Sequence, residues 1–171
     1  MKTLYIVFLI IFSVYFISCG SSNFDTENEI HQRTAQFIES EYLPYGDTGT
    51  SIITGQAFLK TRGGDVKYGA GCMVYLNPVT TYSTEWFTYG IIKEMSLSKA
   101  DQRIDKYHWE TMADGFGNFE FKNLPTGEYY LACNITWEVP GKYNLVTTGG
   151  YAYAQAKIST GETIKVIVTR K

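Results

Sequence analysis

Residues 128 to 137 carry the clearest periodic pattern in this sequence, and no other feature restricts the fold as strongly. Apolar side chains occupy every second position of the segment: Tyr129, Leu131, Cys133, Ile135 and Trp137. Successive side chains of a β-strand point to opposite faces, so a period of two is typical of a strand with one buried face. The segment is therefore predicted to be a strand in a sheet that covers a hydrophobic core.

Five more segments have the composition of short strands and are bounded by turn signals. They are residues 52–60, 71–77, 118–122, 150–158 and 163–169. Glycine, proline and aspartate mark the turns, as in residues 114–117 (Asp-Gly-Phe-Gly) and 124–127 (Leu-Pro-Thr-Gly). The fourteen tyrosines suit half-buried strands, because the ring packs while the hydroxyl reaches water. About seven short strands at this spacing predict an all-β chain folded as a β-sandwich.

Residues 80 to 112 do not follow this regular spacing of strands and turns, and form a long segment rich in aromatic and charged side chains. Loops of this length in compact domains are usually functional or disordered, and the aromatic content argues against disorder. A capping pattern at residues 98–101 predicts a short helix that ends near Tyr107.

Aromatic residues of this segment, with two from the outward face of the strand at 150–158, form the candidate ligand surface. The six residues are Trp86, Phe87, Tyr89, Trp109, Tyr151 and Tyr153. Sugars and peptides stack on surfaces of this kind. The competing interpretation, which the sequence favours, is that the aromatic residues of the long segment simply anchor it to the sandwich.

The first 18 residues have the composition of an export signal. One positive charge is followed by the apolar residues 4–17 and by the small residue Ser18, which precedes Cys19. Residues 16–19 (Phe-Ile-Ser-Cys) resemble the lipobox of bacterial lipoproteins, which implies that Cys19 becomes an acylated N-terminus. An ordinary signal peptide is one alternative, and a spanning anchor is another, although the run is shorter than the roughly 20 apolar residues a spanning helix needs.

We therefore expect a lipid-anchored protein of the cell envelope. Gly20, rather than aspartate, follows the cysteine, and this favours the outer membrane. Whether the protein faces the periplasm or the cell surface stays open.

Residues 19 to 50 are polar and acidic and are predicted to form a tether. Apolar and small side chains recur in it at helical spacing, which predicts a short amphipathic helix over residues 27–40. A marginal helix within a tether is favoured over a helix that docks on the domain.

The chain from residue 51 to residue 171 resembles the carboxypeptidase regulatory-like domain. The resemblance rests on residues 55–57 (Gly-Gln-Ala), on residues 71–76 (Gly-Cys-Met-Val-Tyr-Leu) and above all on residues 114–131. It implies a transthyretin-like Greek-key β-sandwich, with residues 80–112 as an insertion. It also implies a non-catalytic binding or structural module, since no catalytic residues come with the match.

The remaining reactive residues form no recognisable catalytic or metal-binding pattern. Residues 47–49 (Asp-Thr-Gly) resemble the triplet of aspartic proteases, but that chemistry needs two carboxylates and the sequence has no second copy. The two histidines, His31 and His108, are far apart, whereas zinc sites prefer clustered ligands. No enzymatic activity, metal or cofactor is therefore expected, with a cleft that joins His108 to a carboxylate and a hydroxyl as the alternative.

Cys72 and Cys133 both fall on the apolar faces of predicted strands. An exported location permits oxidation, so the pair could form a disulfide if their strands are neighbours. Two inert core thiols are the favoured interpretation and a disulfide is the alternative.

The net charge and the predicted lipid anchor restrict the classes of partner that this protein can have. A formal charge of −2 is too small and too mixed to predict a nucleic acid partner. The leading hypothesis is a lipid-anchored envelope module for binding or assembly. The alternatives are a carbohydrate- or peptidoglycan-binding lipoprotein that uses the aromatic insertion, and an accessory subunit of an outer-membrane complex.

Overall fold

The structure, a computed structural model, describes residues 30 to 170. The predicted export signal, the lipidation site Cys19 and the first part of the predicted tether lie outside the described residues. Within the described range, no helix is both long and apolar enough to span a lipid bilayer.

Eight strands and a few short helices make up the described chain. The strands are β1 (Ser51–Lys60), β2 (Val66–Tyr68), β3 (Met73–Pro78), β4 (Trp109–Met112), β5 (Asn118–Leu124), β6 (Gly127–Pro140), β7 (Leu145–Ile158) and β8 (Thr163–Val168). The α-helices are α1 (Glu39–Tyr42) and α2 (Thr81–Glu85). Three further helical turns are Leu43–Tyr45 and Gln102–Tyr107, both 3-10, and the π-helix Trp86–Ile92, which directly continues α2.

The strands form two sheets that pack face to face. In the first sheet β1 is central: it pairs antiparallel with β2 and β5, and parallel with β8. The second sheet has the order β4-β3-β6-β7 and is antiparallel throughout. The core lies between the sheets and includes Ile53, Leu76, Phe121, Leu131 and Ile158. The predicted all-β sandwich is confirmed.

The second sheet is buried on both of its faces around β6. Five consecutive residues of this strand, Tyr129 to Cys133, are at most 7% exposed. The odd-numbered ones face the core between the sheets, so Tyr130 and Ala132 must be covered from the other side. The insertion provides that cover, because the ring of Phe87 stacks on Tyr130 with 4.0 Å between centroids. The molecule therefore has three layers.

Two strands were not predicted. β2 has three residues, two of them exposed, and forms a hairpin with β1 through the turn at residues 61–65. β4 lies at the end of the insertion and has a single pairing partner, β3. Both are short edge strands, for which the periodic pattern is too brief to be read.

The helix predicted for residues 27–40 is wrong over residues 30–38, which are not helical. The backbone N–H groups of Thr34 and Ala35 donate to the carboxylate of Glu85 instead of to carbonyls of their own segment. A tertiary acceptor has replaced the helical hydrogen bonds, and only the last turn, α1, is helical. The helix predicted to end near Tyr107 is present as a 3-10 helix whose N-cap is Asp101.

Cys72 and Cys133 are joined by a disulfide, rather than being the two free thiols that the sequence favoured. Cys133 pairs with Val74 across β3 and β6, so Cys72 lies just beyond the end of the same ladder. The Cα atoms are 6.4 Å apart, within the range that a disulfide needs. The bond closes a loop with a sequence separation of 61 residues, which contains the whole insertion.

We predict that the double variant Cys72→Ala/Cys133→Ala has a free energy of unfolding about 2–4 kcal/mol below that of the wild type. The reason is that the disulfide restricts the unfolded chain, and removing it returns conformational entropy to that chain. Urea unfolding of the variant and of the wild type, with and without reductant, measures this. The reductant should destabilise the wild type and leave the variant unchanged. Alkylation of both cysteines in the unreduced, denatured chain would contradict the bond.

Candidate functional site

The insertion is fixed to the outer face of the second sheet by a capped helix and a stacked ring. Thr80 and Ser83 form a reciprocal capping box at the start of α2. The hydroxyl of Thr84 lies 3.1 Å from that of Tyr130, and Phe87 stacks on the same tyrosine. Phe87 also meets Tyr153 edge-on at 5.6 Å. These contacts hold α2 and the π-helix against the sheet.

Glu85 attaches the N-terminal segment to this layer. Its carboxylate is 7% exposed and accepts hydrogen bonds from the backbone N–H of Thr34 and Ala35 and from the hydroxyl of Thr34. Nε2 of His31 lies 3.1 Å from the same carboxylate. Burial alone would raise the pKa of Glu85, but these donors together lower it to about 2. Glu85 thus holds Thr34 and Ala35 on the insertion, while backbone hydrogen bonds of His31 to Ser96 and Ser98 hold the start of the same segment.

A cavity of about 390 Å³ lies where the second sheet, the insertion and the N-terminal segment meet. We call it the aromatic cavity. The outer face of the sheet contributes Tyr75, Asn77 and Tyr151. Aromatic side chains from the other two elements contribute Tyr42, Tyr82, Trp86 and Tyr107. Charged or titratable side chains on its lining are Arg33, Asp105 and His108.

The rings around the cavity are held by contacts with their neighbours. Tyr42 and Tyr107 pack with 4.9 Å between centroids, and the hydroxyl of Tyr42 accepts from that of Thr80 at 2.8 Å. The hydroxyl of Tyr82 accepts from the backbone N–H of Asp101 at 2.8 Å. Both tyrosines are almost fully buried, so the cavity walls are preformed.

His108 is the most chemically versatile group in the cavity. Its Nδ1 lies 2.9 Å from Oδ1 of Asn77, an atom that can only accept, so Nδ1 carries the proton. Burial lowers the pKa of His108 below its usual value, against the opposing influence of Glu110 and Asp105. The ring is therefore neutral at pH 7, and its Nε2 is a hydrogen-bond acceptor.

The geometry around His108 does not form a hydrolytic triad within the described residues. Its Nε2 is 3.8 Å from the carboxylate of Glu110, and the ring of Tyr75 lies 5.5 Å away. No serine hydroxyl hydrogen-bonds to it in residues 30–170. The segment at 47–49 lies elsewhere, in the turn-rich approach to β1, where the N–H of Gly49 donates to the carbonyl of Asn123. Among the described side chains, no cluster of three potential metal ligands occurs.

Two of the six aromatic residues of the candidate ligand surface line the cavity, and the other four make packing contacts within the protein. Trp86 and Tyr151 line the aromatic cavity. Phe87 and Tyr153 join the insertion to the sheet, as described above. The ring of Tyr89 stacks on His31 at 3.6 Å, and Trp109 packs edge-on against Tyr129 in the core.

Sequence reasoning missed most of the other cavity residues. Tyr75 and Asn77 alternate with the buried Val74 and Leu76, so their outward direction is readable from the period of β3. Tyr82 and Arg33 reach the cavity through the fold of the insertion and the N-terminal segment, for which no local pattern exists.

No protein-family model matches this sequence, and neither does any curated protein. Among solved structures, the chain is similar to PA1324 from Pseudomonas aeruginosa, a candidate carbohydrate-binding protein. The two share 26% identity with a TM-score of 0.72, over 80% of this chain and 99% of that one. The major pilin subunit BcpA of Bacillus cereus matches with 15% identity and a TM-score of 0.41, over 71% of this chain and 30% of that one, a similarity too low to carry an argument.

We predict that Glu85→Gln lowers the free energy of unfolding at pH 7 by about 2 kcal/mol, the scale of a buried hydrogen bond to a charged group. Because the pKa of Glu85 is lowered from 4.5 to about 2, its contribution is complete above pH 4.5 and is lost as the pH falls toward 2. Urea unfolding of both proteins from pH 7 to pH 2 measures this difference.

The matched control is Glu138→Gln, which alters an exposed carboxylate on β6. It should leave the stability near that of the wild type at every pH. A difference between the wild type and Glu85→Gln that stays constant down to pH 2 would contradict the assignment.

Proposed function

We propose that this protein binds a small saccharide in the aromatic cavity. The cavity lining combines aromatic rings with planar hydrogen-bonding groups. Rings such as Trp86 and Tyr75 can pack against the C–H faces of a sugar. Asn77, Asp105 and His108 supply donors and acceptors for its hydroxyls.

The size and rigidity of the cavity support a small ligand. Its volume of about 390 Å³ is near the lower end of the range for small-molecule sites. Tyr42 and Tyr82 are 2% and 5% exposed, so the walls need little ordering when a ligand binds. These features favour a site for one or two sugar units over a long groove for a polymer.

The similarity to PA1324 supports the same class of ligand. That structure aligns over nearly its whole length with this chain, and its candidate role is carbohydrate binding. We accordingly propose a binding role rather than catalysis. Failure to bind any saccharide would favour the accessory-subunit alternative.

The proposal also includes the family of the protein and its location in the cell. The turn at residues 114–118 supports the resemblance to carboxypeptidase regulatory-like domains, since Oδ1 of Asp114 accepts from the N–H groups of Phe116 and Asn118. We propose that Cys19 is acylated and holds this module at the outer membrane. The lipobox-like residues 16–19 support that anchor.

We predict that Trp86→Ala weakens saccharide binding at least tenfold, because it removes the largest ring of the cavity lining. A glycan array identifies the saccharide, and calorimetric titration of the full chain measures the affinity. The matched control is Tyr143→Ala, at the tip of the β6–β7 hairpin, where the side chain is 86% exposed. Equal affinity of Trp86→Ala and the wild type, with both proteins folded, would contradict the site.

We predict that Cys19→Ser moves the protein from the membrane fraction to the soluble fraction of the cell, because the acyl chains are lost. Fractionation, with mass spectrometry of the N-terminal peptide, tests this. An unmodified Cys19 in the wild-type protein would contradict the anchor and leave the saccharide site unaffected.

A further inference from the structure

We infer that the saccharide bound in the aromatic cavity carries a carboxylate, and that the guanidinium of Arg33 pairs with it. The inference rests on the proposed function and narrows it to acidic sugars such as hexuronates.

Arg33 is held in place at the cavity by the insertion. Its backbone N–H donates to Oγ of Ser98 at 2.9 Å, and its Nε donates to the carbonyl of Ser98 at 3.1 Å. The guanidinium lies over the ring of Tyr82, 5.1 Å from the centroid. Side-chain and backbone contacts to the same residue therefore fix the plane of the guanidinium before any ligand arrives.

Neither terminal nitrogen of this guanidinium donates a hydrogen bond to a described residue. Nη1 is the only buried side-chain nitrogen or oxygen in residues 30–170 that has no hydrogen-bond partner. No carboxylate of the described chain pairs with Arg33, whereas Arg103 pairs with Asp101 and Arg170 pairs with Glu94. Nη1 is shielded from solvent, so a ligand in the cavity can reach the guanidinium only through Nη2, and the charge of Arg33 has no partner within the described chain.

A carboxylate matches this arrangement better than a neutral hydroxyl does. It can accept a charge-assisted hydrogen bond from Nη2 and also neutralise the charge of the guanidinium. The lining adds only one carboxylate, that of Asp105, which is exposed and not paired with Arg33. His108, the other titratable neighbour, is neutral at pH 7 because burial lowers its pKa. The lining thus has one positive group, Arg33, and one negative group, Asp105. A single acidic group on the sugar can pair with Arg33, whereas further negative charges would be repelled by Asp105.

The test compares sugars that differ only in the acidic group. A panel of hexuronates and the corresponding hexoses is titrated calorimetrically into the full chain, in a detergent without a sugar headgroup. We expect each bound hexuronate to bind at least tenfold more tightly than its hexose. Arg33→Gln should reduce this preference to less than twofold, and Arg33→Lys should leave it intermediate because the charge remains while the fixed, planar donor is lost.

The matched control is Arg103→Gln, which removes a neighbouring arginine that lies over Phe37 and already pairs with Asp101. It should keep the full preference of the wild type. Thermal unfolding of each variant checks that it is folded, and the wild-type comparison of paired sugars stands even if Arg33→Gln does not fold.

The outcomes separate the two proposals. Hexoses that bind as tightly as their hexuronates, with Trp86→Ala still weakening both, would overturn the acidic-sugar inference and leave saccharide binding intact. A preference that survives in Arg33→Gln would overturn the role of Arg33. Absence of binding to any saccharide, on the array and in titration, would overturn the proposed function and this inference with it.

Discussion

The structure depends on the burial of β6 on both of its faces. One face completes the core of the sandwich, and the other presents Tyr130 and Ala132, which are 7% and 0% exposed. A two-layer sandwich would leave these side chains in water. The insertion at residues 80–112 is therefore a structural layer, held by Phe87 and Thr84 against Tyr130, and the cavity forms where this layer meets the sheet.

The third layer is completed by residues that come before the sandwich in the chain. Glu85, at the end of α2, binds the backbone of Thr34 and Ala35 and approaches His31. This attachment brings Arg33 to the aromatic cavity. The same buried carboxylate thus joins two distant parts of the chain and positions a charged group of the candidate site.

Most of the sandwich could be predicted from the sequence, because alternation along β6 and turn residues such as those at 114–117 act locally. The double burial of β6 was also readable, since Tyr130 and Ala132 make the run from residue 129 to residue 133 continuously apolar. The non-helical course of residues 30–38 was not, because N–H groups of this segment donate to Glu85, Ser96 and Ser98, all 50 or more residues away in sequence. The same limit applies to the site: Trp86 and Tyr151 were found from composition, whereas Arg33, Tyr82 and His108 meet only in the tertiary fold.

We propose above that a saccharide occupies the aromatic cavity, and the tryptophans of the chain report on this directly. The chain has three tryptophans, and they lie in different places: Trp86 lines the cavity, Trp109 packs against Tyr129 in the core, and Trp137 lies on the second sheet beyond the cavity residues. The most direct measurement is a nitrogen–proton NMR spectrum of the tryptophan indoles during titration with a bound saccharide. We expect the Trp86 indole signal to shift in proportion to occupancy while those of Trp109 and Trp137 stay in place. A saccharide that shifts only the Trp137 signal, or none of the three at saturation, would contradict the proposal.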